Sequence, residues 1–210
     1  MRPAIILFAR APVAGQVKTR LEAALGAEAT VELHNAFVLD TLDKLLTLRA
    51  VAGIELHTDI ETDAWRRPEV TVRTQIRGDL GLRMLHALDA KWACIVGSDA
   101  PTLPVSHIEA LLASSADVAL GPCEDGGYYA ISCRRTHPEM FRGVEWSSAV
   151  TLAQTEQAAR RCAMSVERGP GWYDIDLPED LLRLRREGNL PSRTARWFDN
   201  YNSCSSGPRD

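Results

Sequence analysis

The sequence predicts an α/β protein: a three-layer α/β/α sandwich around a mostly parallel sheet. Three observations carry that expectation. Short, continuous apolar runs recur along the chain, as strands covered on both faces require. Segments with helical spacing alternate with them. Acids and glycines gather where the runs stop, at the strand ends where open α/β sheets bind ligands.

Taken in order, residues 4–9 (AIILFA) form the first run, followed by a loop and one helical turn. Over 27–48, Val38, Leu42, Leu45 and Leu46 recur at helical spacing, and 53–58 then reads as a second strand. Residues 70–75 alternate like a strand and 79–88 like a helix, while Trp92-Ala93-Cys94-Ile95-Val96 is a buried strand. Ser106 and Glu109 have the capping-box spacing for a helix through Leu112. Residues 117–121 and 128–132 read as strands flanking a turn, with one antiparallel strand expected near Tyr128. A helix over 148–161, a short strand over 163–167 and a helix over 178–186 complete the pattern. Asp176 or Leu177 opens the last of these and Gly188 closes it. A single domain over 1–198 is expected, with 199–210 a flexible tail.

Composition narrows the function. With 45% hydrophobic residues, 210 residues bury a substantial core without staples. The five cysteines, Cys94, Cys123, Cys133, Cys162 and Cys204, are odd in number and contain no CxxC pair, which suits reduced thiols in the cytoplasm. Residues 1–10 are unlike a signal peptide, and no apolar stretch approaches the ~20 residues that span a bilayer. A net charge of −4 argues against non-specific nucleic-acid binding, which needs a broad basic surface. Small anions need only a local cluster of cations, and Arg10, Lys18 and Arg20 supply one.

The loop after the first strand runs from Ala9 through Arg10, Gly15 and Lys18 to Arg20. Its small residues let backbone N–H groups approach a phosphate, and its cations add full charges. It is not a Walker P-loop, because two residues separate Gly15 from Lys18. An ordinary solvated surface loop is the structural alternative. The strand over 92–96 ends in Gly97-Ser98-Asp99-Ala100-Pro101, delivering an acid to its carboxyl end. Asp99 could merely cap the next helix, but Ser106 is placed to do that while Pro101 and Pro104 keep the intervening segment extended.

Downstream lies a second acid cluster, Asp174-Ile175-Asp176-Leu177-Pro178-Glu179-Asp180. Asp176 reads equally well as a helix start, with Glu179 at the capping-box position. Of Asp174 and Asp176, only one is expected to reach the site as the second acid. Two carboxylates about 4 Å apart repel by roughly 4 kcal/mol at an effective dielectric near 20, so Asp99 and Asp176 can converge only around a cation or a proton. Oxygen-only ligands favour Mg²⁺ or Mn²⁺. The turn at Asp125-Gly126-Gly127-Tyr128 is either a simple hairpin or a place where Asp125 takes a proton or a hydroxyl. Gln75, Gly78 and Arg83 mark a strand-to-helix junction where a base or phosphate can lie. The five histidines form no HxxxH or HExxH pattern, and GxSxG and GxGxxG are absent. Zinc hydrolase, α/β-hydrolase and dinucleotide-dependent dehydrogenase readings therefore lack support.

The ordered set KTRL, QxxGDLGxRM, GSDAPTLP, GPxxDGGYY, VEWS (144–147) and DIDLPEDL resembles a bacterial family, the "transferase 1, radical-SAM/selenodomain-associated" proteins. That family is placed in the GT-A-fold nucleotide-diphospho-sugar transferase superfamily. The resemblance spans about residues 4–187. It implies that Asp99 holds a divalent metal on a bound nucleotide, that Asp176 is the second acid, and that Lys18 is a phosphate lysine. Two departures stand out: Leu177 occupies a position where relatives often have threonine, and Gly97-Ser98-Asp99 offers one acid where many glycosyltransferases have a DxD pair.

The expectation is therefore a Mg²⁺- or Mn²⁺-dependent glycosyl transfer from a nucleoside-diphosphate sugar to a small-molecule acceptor. Asp99 and Asp176 hold the metal in this reading. Ala9, Arg10, Gly15, Lys18, Arg20, Gln75, Gly78, Arg83 and Ser98 line the nucleotide. Asp99, Asp125 and Lys18 are the catalytic candidates, with Gly126, Gly127, Tyr128 and Trp146 as the acceptor pocket. The alternatives are nucleotidylyl transfer from an NTP to a sugar phosphate or similar acceptor with pyrophosphate release, and a nucleotide-binding protein without chemistry.

Overall fold

The computed structural model describes residues 2–88 and 92–205, with side chains to residue 203. Its chain order is β1 (Ala4–Ala9), α1 (Thr19–Leu25), α2 (Ala27–Thr47), β2 (Gly53–Thr58), β3 (Thr71–Thr74), α3 (Leu80–Leu88), β4 (Ala93–Gly97) and α4 (Val105–Ala113). Then come β5 (Val118–Pro122), β6 (Tyr128–Cys133), α5 (Thr151–Arg161), β7 (Val166–Arg168), α6 (Pro178–Arg186) and α7 (Ser192–Ser205). All seven strands form one sheet, ordered β3-β2-β1-β4-β6-β5-β7. β6 alone runs antiparallel to its neighbours, as expected near Tyr128.

The apolar runs read as strands because each feeds two cores at once. Ile5, Leu7 and Ala9 of β1 pack with Val38, Leu42 and Leu45 of α2 and Ile108 and Leu111 of α4. Ala4 and Ile6 point the other way, against Met84 and Leu88 of α3 and Leu152 and Ala159 of α5. Period-2 alternation thus divides one strand between the two helix layers. α2 is also buried on a second stripe, where Leu33 and Phe37 meet Trp197 of α7 and Ile175 in a third core. Each fully buried side chain of this size contributes about 1.5–3 kcal/mol.

Four local expectations change. Ser106 does not cap α4: Pro104 is the N-cap residue and no side-chain cap bond forms, because the helix already begins at Val105. α5 starts at Thr151, after a turn in which Ser147 has a positive φ of 57°. β7 begins at Val166, later than the expected 163, with Ala163 in a left-handed turn. The segment from 199 onward, expected as a flexible tail, continues α7 to Ser205; residues 206–210 of that segment lie outside the described residues. Tyr201 stacks on Trp197 at 4.9 Å, and the α7 N-terminus is pinned by buried Asp40, which accepts from Thr194 N and Oγ1 at 2.8 Å each. Among the described residues, no helix is long and apolar enough to cross a membrane.

Candidate active site

Topology brings the motifs to one rim. The chain runs outward through β1, β2 and β3, then returns to place β4 on the other side of β1, so the strand order reverses between β1 and β4. These two strands are parallel, with Phe8 opposite Gly97, and their carboxyl ends release the 10–18 and 98–104 loops side by side. Crevices form at such a reversal. Because β6 is antiparallel, its start, Tyr128, arrives at the same rim together with the turn at 123–127. The downstream acids are drawn in by a parallel bridge between Cys123 and Trp172 and by a 2.9 Å bond from Ile175 N to the Asp99 carbonyl. The resulting cleft is about 870 Å³.

At its centre Lys18 Nζ lies 2.6 Å from Asp99 Oδ1 and 3.0 Å from Asp176 Oδ1, and it also donates to the Ile175 carbonyl. The cation demanded by the convergence of Asp99 and Asp176 is thus present within the chain itself. The Lys18 side chain is only 4% exposed whereas those of Asp99 and Asp176 are 46% and 41% exposed, so the lysine approaches from the protein side. Burial alone lowers the Lys18 pKa, but the two carboxylates outweigh it and hold the ammonium above its ordinary value. Burial pushes Asp99 up, yet the Lys18 charge and hydrogen bond overcome this and keep its carboxyl below the usual range. Lys18 also takes a left-handed backbone, φ 46° and ψ 39°, uncommon for a residue with a side chain.

Asp176 is free for this pairing because another residue caps α6. Leu177 is the N-cap residue, and Asp180, not Glu179, accepts from the backbone N–H of Asp176 at 2.9 Å and Leu177 at 2.7 Å. The expectation that only one of Asp174 and Asp176 reaches the site does not hold: Tyr173 and Ile175 are buried, and the two acids two residues apart face the same way. Both line the cleft. Asp174 lies with Asp125 and Cys123, their ligand atoms within 4.8 Å of one another. Burial, then Asp125 and Asp176, pushes the Asp174 carboxyl up to about 6. Asp125 accepts from Gly127 N at 2.8 Å, fixing the turn.

On the side of the first loop, Ala9, Arg10, Gly15, Arg20 and Ser98 line the cleft, as do Gln75 and Arg83. Gln75 is held in one orientation, donating to the His57 carbonyl at 2.9 Å and accepting from Arg83 at 3.0 Å. Across the cleft stand Gly127, Tyr128 and Trp146. Two expected residues lie behind the wall. Gly78 forms the turn before α3 with φ 141°, and Gly126 packs beneath the backbone of Ala149. At φ 88°, a Cβ on Gly126 would lie 2.1 Å from the Ala149 carbonyl oxygen, so only glycine fits and its duty is packing.

Sequence reading missed His34, Asp59, Asp79, Ser147, Ser148 and Thr151, all of which line the cleft. His34 donates through Nε2 to the Arg10 carbonyl at 2.9 Å, and burial keeps it neutral by lowering its pKa. Asp59 accepts from Ala11 N at 2.7 Å. The usable signal was positional: Asp59 follows β2 as Asp99 follows β4. Lys44 of α2 braces the Asp99 loop by donating to the carbonyls of Pro101 and Leu103, and burial lowers it to about 8. A smaller hollow of about 510 Å³ lies against β3, where Arg66, Arg67 and Arg73 are already paired with Asp63, Asp43 and Glu55.

Known proteins place this cleft in context. The chain is 31% identical over 180 residues to a 2-phospho-L-lactate guanylyltransferase of Haloarcula marismortui, covering 82% of each protein. Its fold matches the crystal structure of a provisionally assigned nucleotide-diphospho-sugar transferase from Desulfovibrio desulfuricans G20, with a TM-score of 0.85 and 30% identity over 96% of this chain and 95% of that one. An inositol-1-phosphate CTP transferase from T. maritima shares the fold at a TM-score of 0.55 and 13% identity, covering 96% of each chain. Residues 32–148 match the model of a family described as an uncharacterized protein conserved in bacteria, DUF2064. With its GT-A-like sheet and the rim just described, the chain belongs to the DUF2064 family and is a transferase.

Proposed function

We propose that this protein transfers a nucleotidyl group from a nucleoside triphosphate to a small phosphorylated acceptor, releasing pyrophosphate. The observation that carries the reading is the buried Lys18 ammonium, seated between Asp99 and Asp176 beside Arg10 and Arg20 in a cleft with a separate wall for a second substrate. The resemblance to a guanylyltransferase over 82% of the chain supports it. In the reaction an oxygen of the acceptor phosphate bonds to the α-phosphorus, and the bond from that phosphorus to the bridging oxygen breaks. The electron pair leaves with pyrophosphate, whose charge Lys18, Arg10 and Arg20 oppose. Ala9, Gly15 and Ser98 border the phosphates, and Gln75 with Arg83 presents a fixed polar edge to the base.

Asp99 and Asp176 would hold Mg²⁺ or Mn²⁺. Their half-exposed oxygens converge on one point, and an all-oxygen donor set suits these ions. When bound, such an ion neutralises phosphate charge in the transition state. The ordered sequence motifs further support the radical-SAM/selenodomain-associated grouping. The four described cysteines are free thiols, which supports a cytoplasmic setting.

Glycosyl transfer is the second reading, and one observation favours it. A hydroxyl acceptor needs a base, and Asp125 with Asp174 forms a carboxylate pair near Tyr128 and Trp146 with Asp174 pushed up to about 6. A phosphate nucleophile is already ionised near neutral pH and needs none. Incubation with each NTP plus sugar phosphates or phosphorylated hydroxy acids, and separately with each nucleoside-diphosphate sugar, tests the assignment. Acceptor-dependent pyrophosphate release is expected. Acceptor-dependent diphosphate release from a nucleotide sugar moves the assignment to glycosyl transfer.

A further inference from the structure

We propose that Lys18 is a movable stopper: it occupies the gap between Asp99 and Asp176 and leaves it for the phosphates of an incoming nucleotide, so that nucleotide and divalent cation bind as a coupled pair. The inference rests on the reading of the cleft as a nucleotide and cation site, and adds the order in which it fills. The ammonium nitrogen lies 2.6 Å and 3.0 Å from one oxygen of each acid. A small divalent ion on the same two oxygens, at contacts of about 2.1 Å, would overlap that nitrogen. The two cations therefore exclude each other.

The lysine has somewhere to go. Its side chain is enclosed by protein while both carboxylates open onto the cleft, and Arg10 and Arg20 border the same space, where an anionic ligand offers the ammonium new partners. Its left-handed backbone is one that a non-glycine residue keeps only while surrounding contacts hold it. Arg20 provides the internal contrast. It is 62% exposed and 3.9 Å from Asp176, carrying the same charge without filling the gap.

The test measures Mn²⁺ binding by calorimetry or electron paramagnetic resonance for the wild-type protein, Lys18→Gln, Lys18→Met and Arg20→Gln, each with and without a non-hydrolysable NTP analogue. Near-ultraviolet circular dichroism identifies which Lys18 variant is folded and is compared. Without nucleotide, removal of Lys18 is expected to tighten Mn²⁺ binding about tenfold or more, while Arg20→Gln changes it by less than about threefold. The analogue should strengthen Mn²⁺ binding in the wild type more than in the Lys18 variant. Equal or weaker Mn²⁺ binding without Lys18, or an Arg20→Gln effect as large, overturns the stopper while leaving the cleft's assignment standing. Absence of both Mn²⁺ and nucleotide binding in the wild type and every variant overturns both.

Discussion

Two aspartate pairs in the cleft sit under opposite electrostatic regimes. In one pair Asp99 and Asp176 share a buried ammonium, and Asp99 is held below its ordinary pKa. In the other pair Asp125 and Asp174 converge with no cation paired to either among the described residues, and Asp174 is pushed up to about 6. The contrast teaches that the neighbours, not the aspartates themselves, decide which carboxylates stay ionised and which can take a proton. Groups driven apart in this way commonly have separate roles in a reaction. Here the neutralised pair holds the lysine of the basic loop, and the unneutralised pair lies by the turn that leads into Gly127 and Tyr128.

Removing the ammonium should break this contrast most severely. Lys18→Met is expected to lower nucleotidyl transfer by about 10²–10³-fold, since a fixed charge at a departing phosphate is worth that much. Steady-state pyrophosphate release measures it; an unchanged rate would remove Lys18 from the chemistry. Next in size, Asp99→Ala should weaken divalent-dependent nucleotide binding by about 10²-fold. Its melting temperature should move only a few degrees, because the carboxylate is half-exposed and Asp176 keeps its hold on Lys18. A large melting loss with intact affinity would assign Asp99 to the scaffold.

Asp125→Asn sharpens the comparison from the other end. Nucleotidylyl transfer should change by less than roughly threefold, whereas a base for a hydroxyl acceptor would cost about 10²-fold or more. The smallest effect concerns stability. The Asp174 pKa is raised in the fold, so its ionised form is the disfavoured one. That penalty is absent below the ordinary carboxylate range and fully present above about pH 6. Asp174→Asn should therefore stabilise the protein at pH 7.5 by about 1 kcal/mol, after allowance for solvent screening, and have little effect near pH 3.5. Paired thermal melts at the two pH values would show it, and an equal gain at both would point to packing instead.

Sequence made the sheet legible because strands buried on both faces leave an unmistakable mark. β1 begins and ends where its apolar run does, β2 spans the expected 53–58, and the odd orientation of β6 followed from a glycine turn and two tyrosines. α7 was hidden because its apolar residues are bunched at Trp197, Phe198 and Tyr201, and its anchor, Asp40, lies on a distant helix. Ser106 misled because the capping-box spacing does not say whether the helix has already begun, and it starts one residue earlier. Asp174 was underrated because two acids on either side of buried Ile175 share a face, so both reach the cleft. That the acids meet follows from β4 and its loop. Which cation joins them is a tertiary fact.

β6 is hydrogen-bonded on both sides, to β4 and to β5, and it runs against them. Its leading hairpin is therefore grafted onto a ladder whose register is fixed independently of hairpin length. Exchanging residues 124–125 would alter the wall that the proposed reaction assigns to a second substrate, while the β1 and β4 ends lie outside that turn. One scaffold could thereby be retargeted by engineering a single turn.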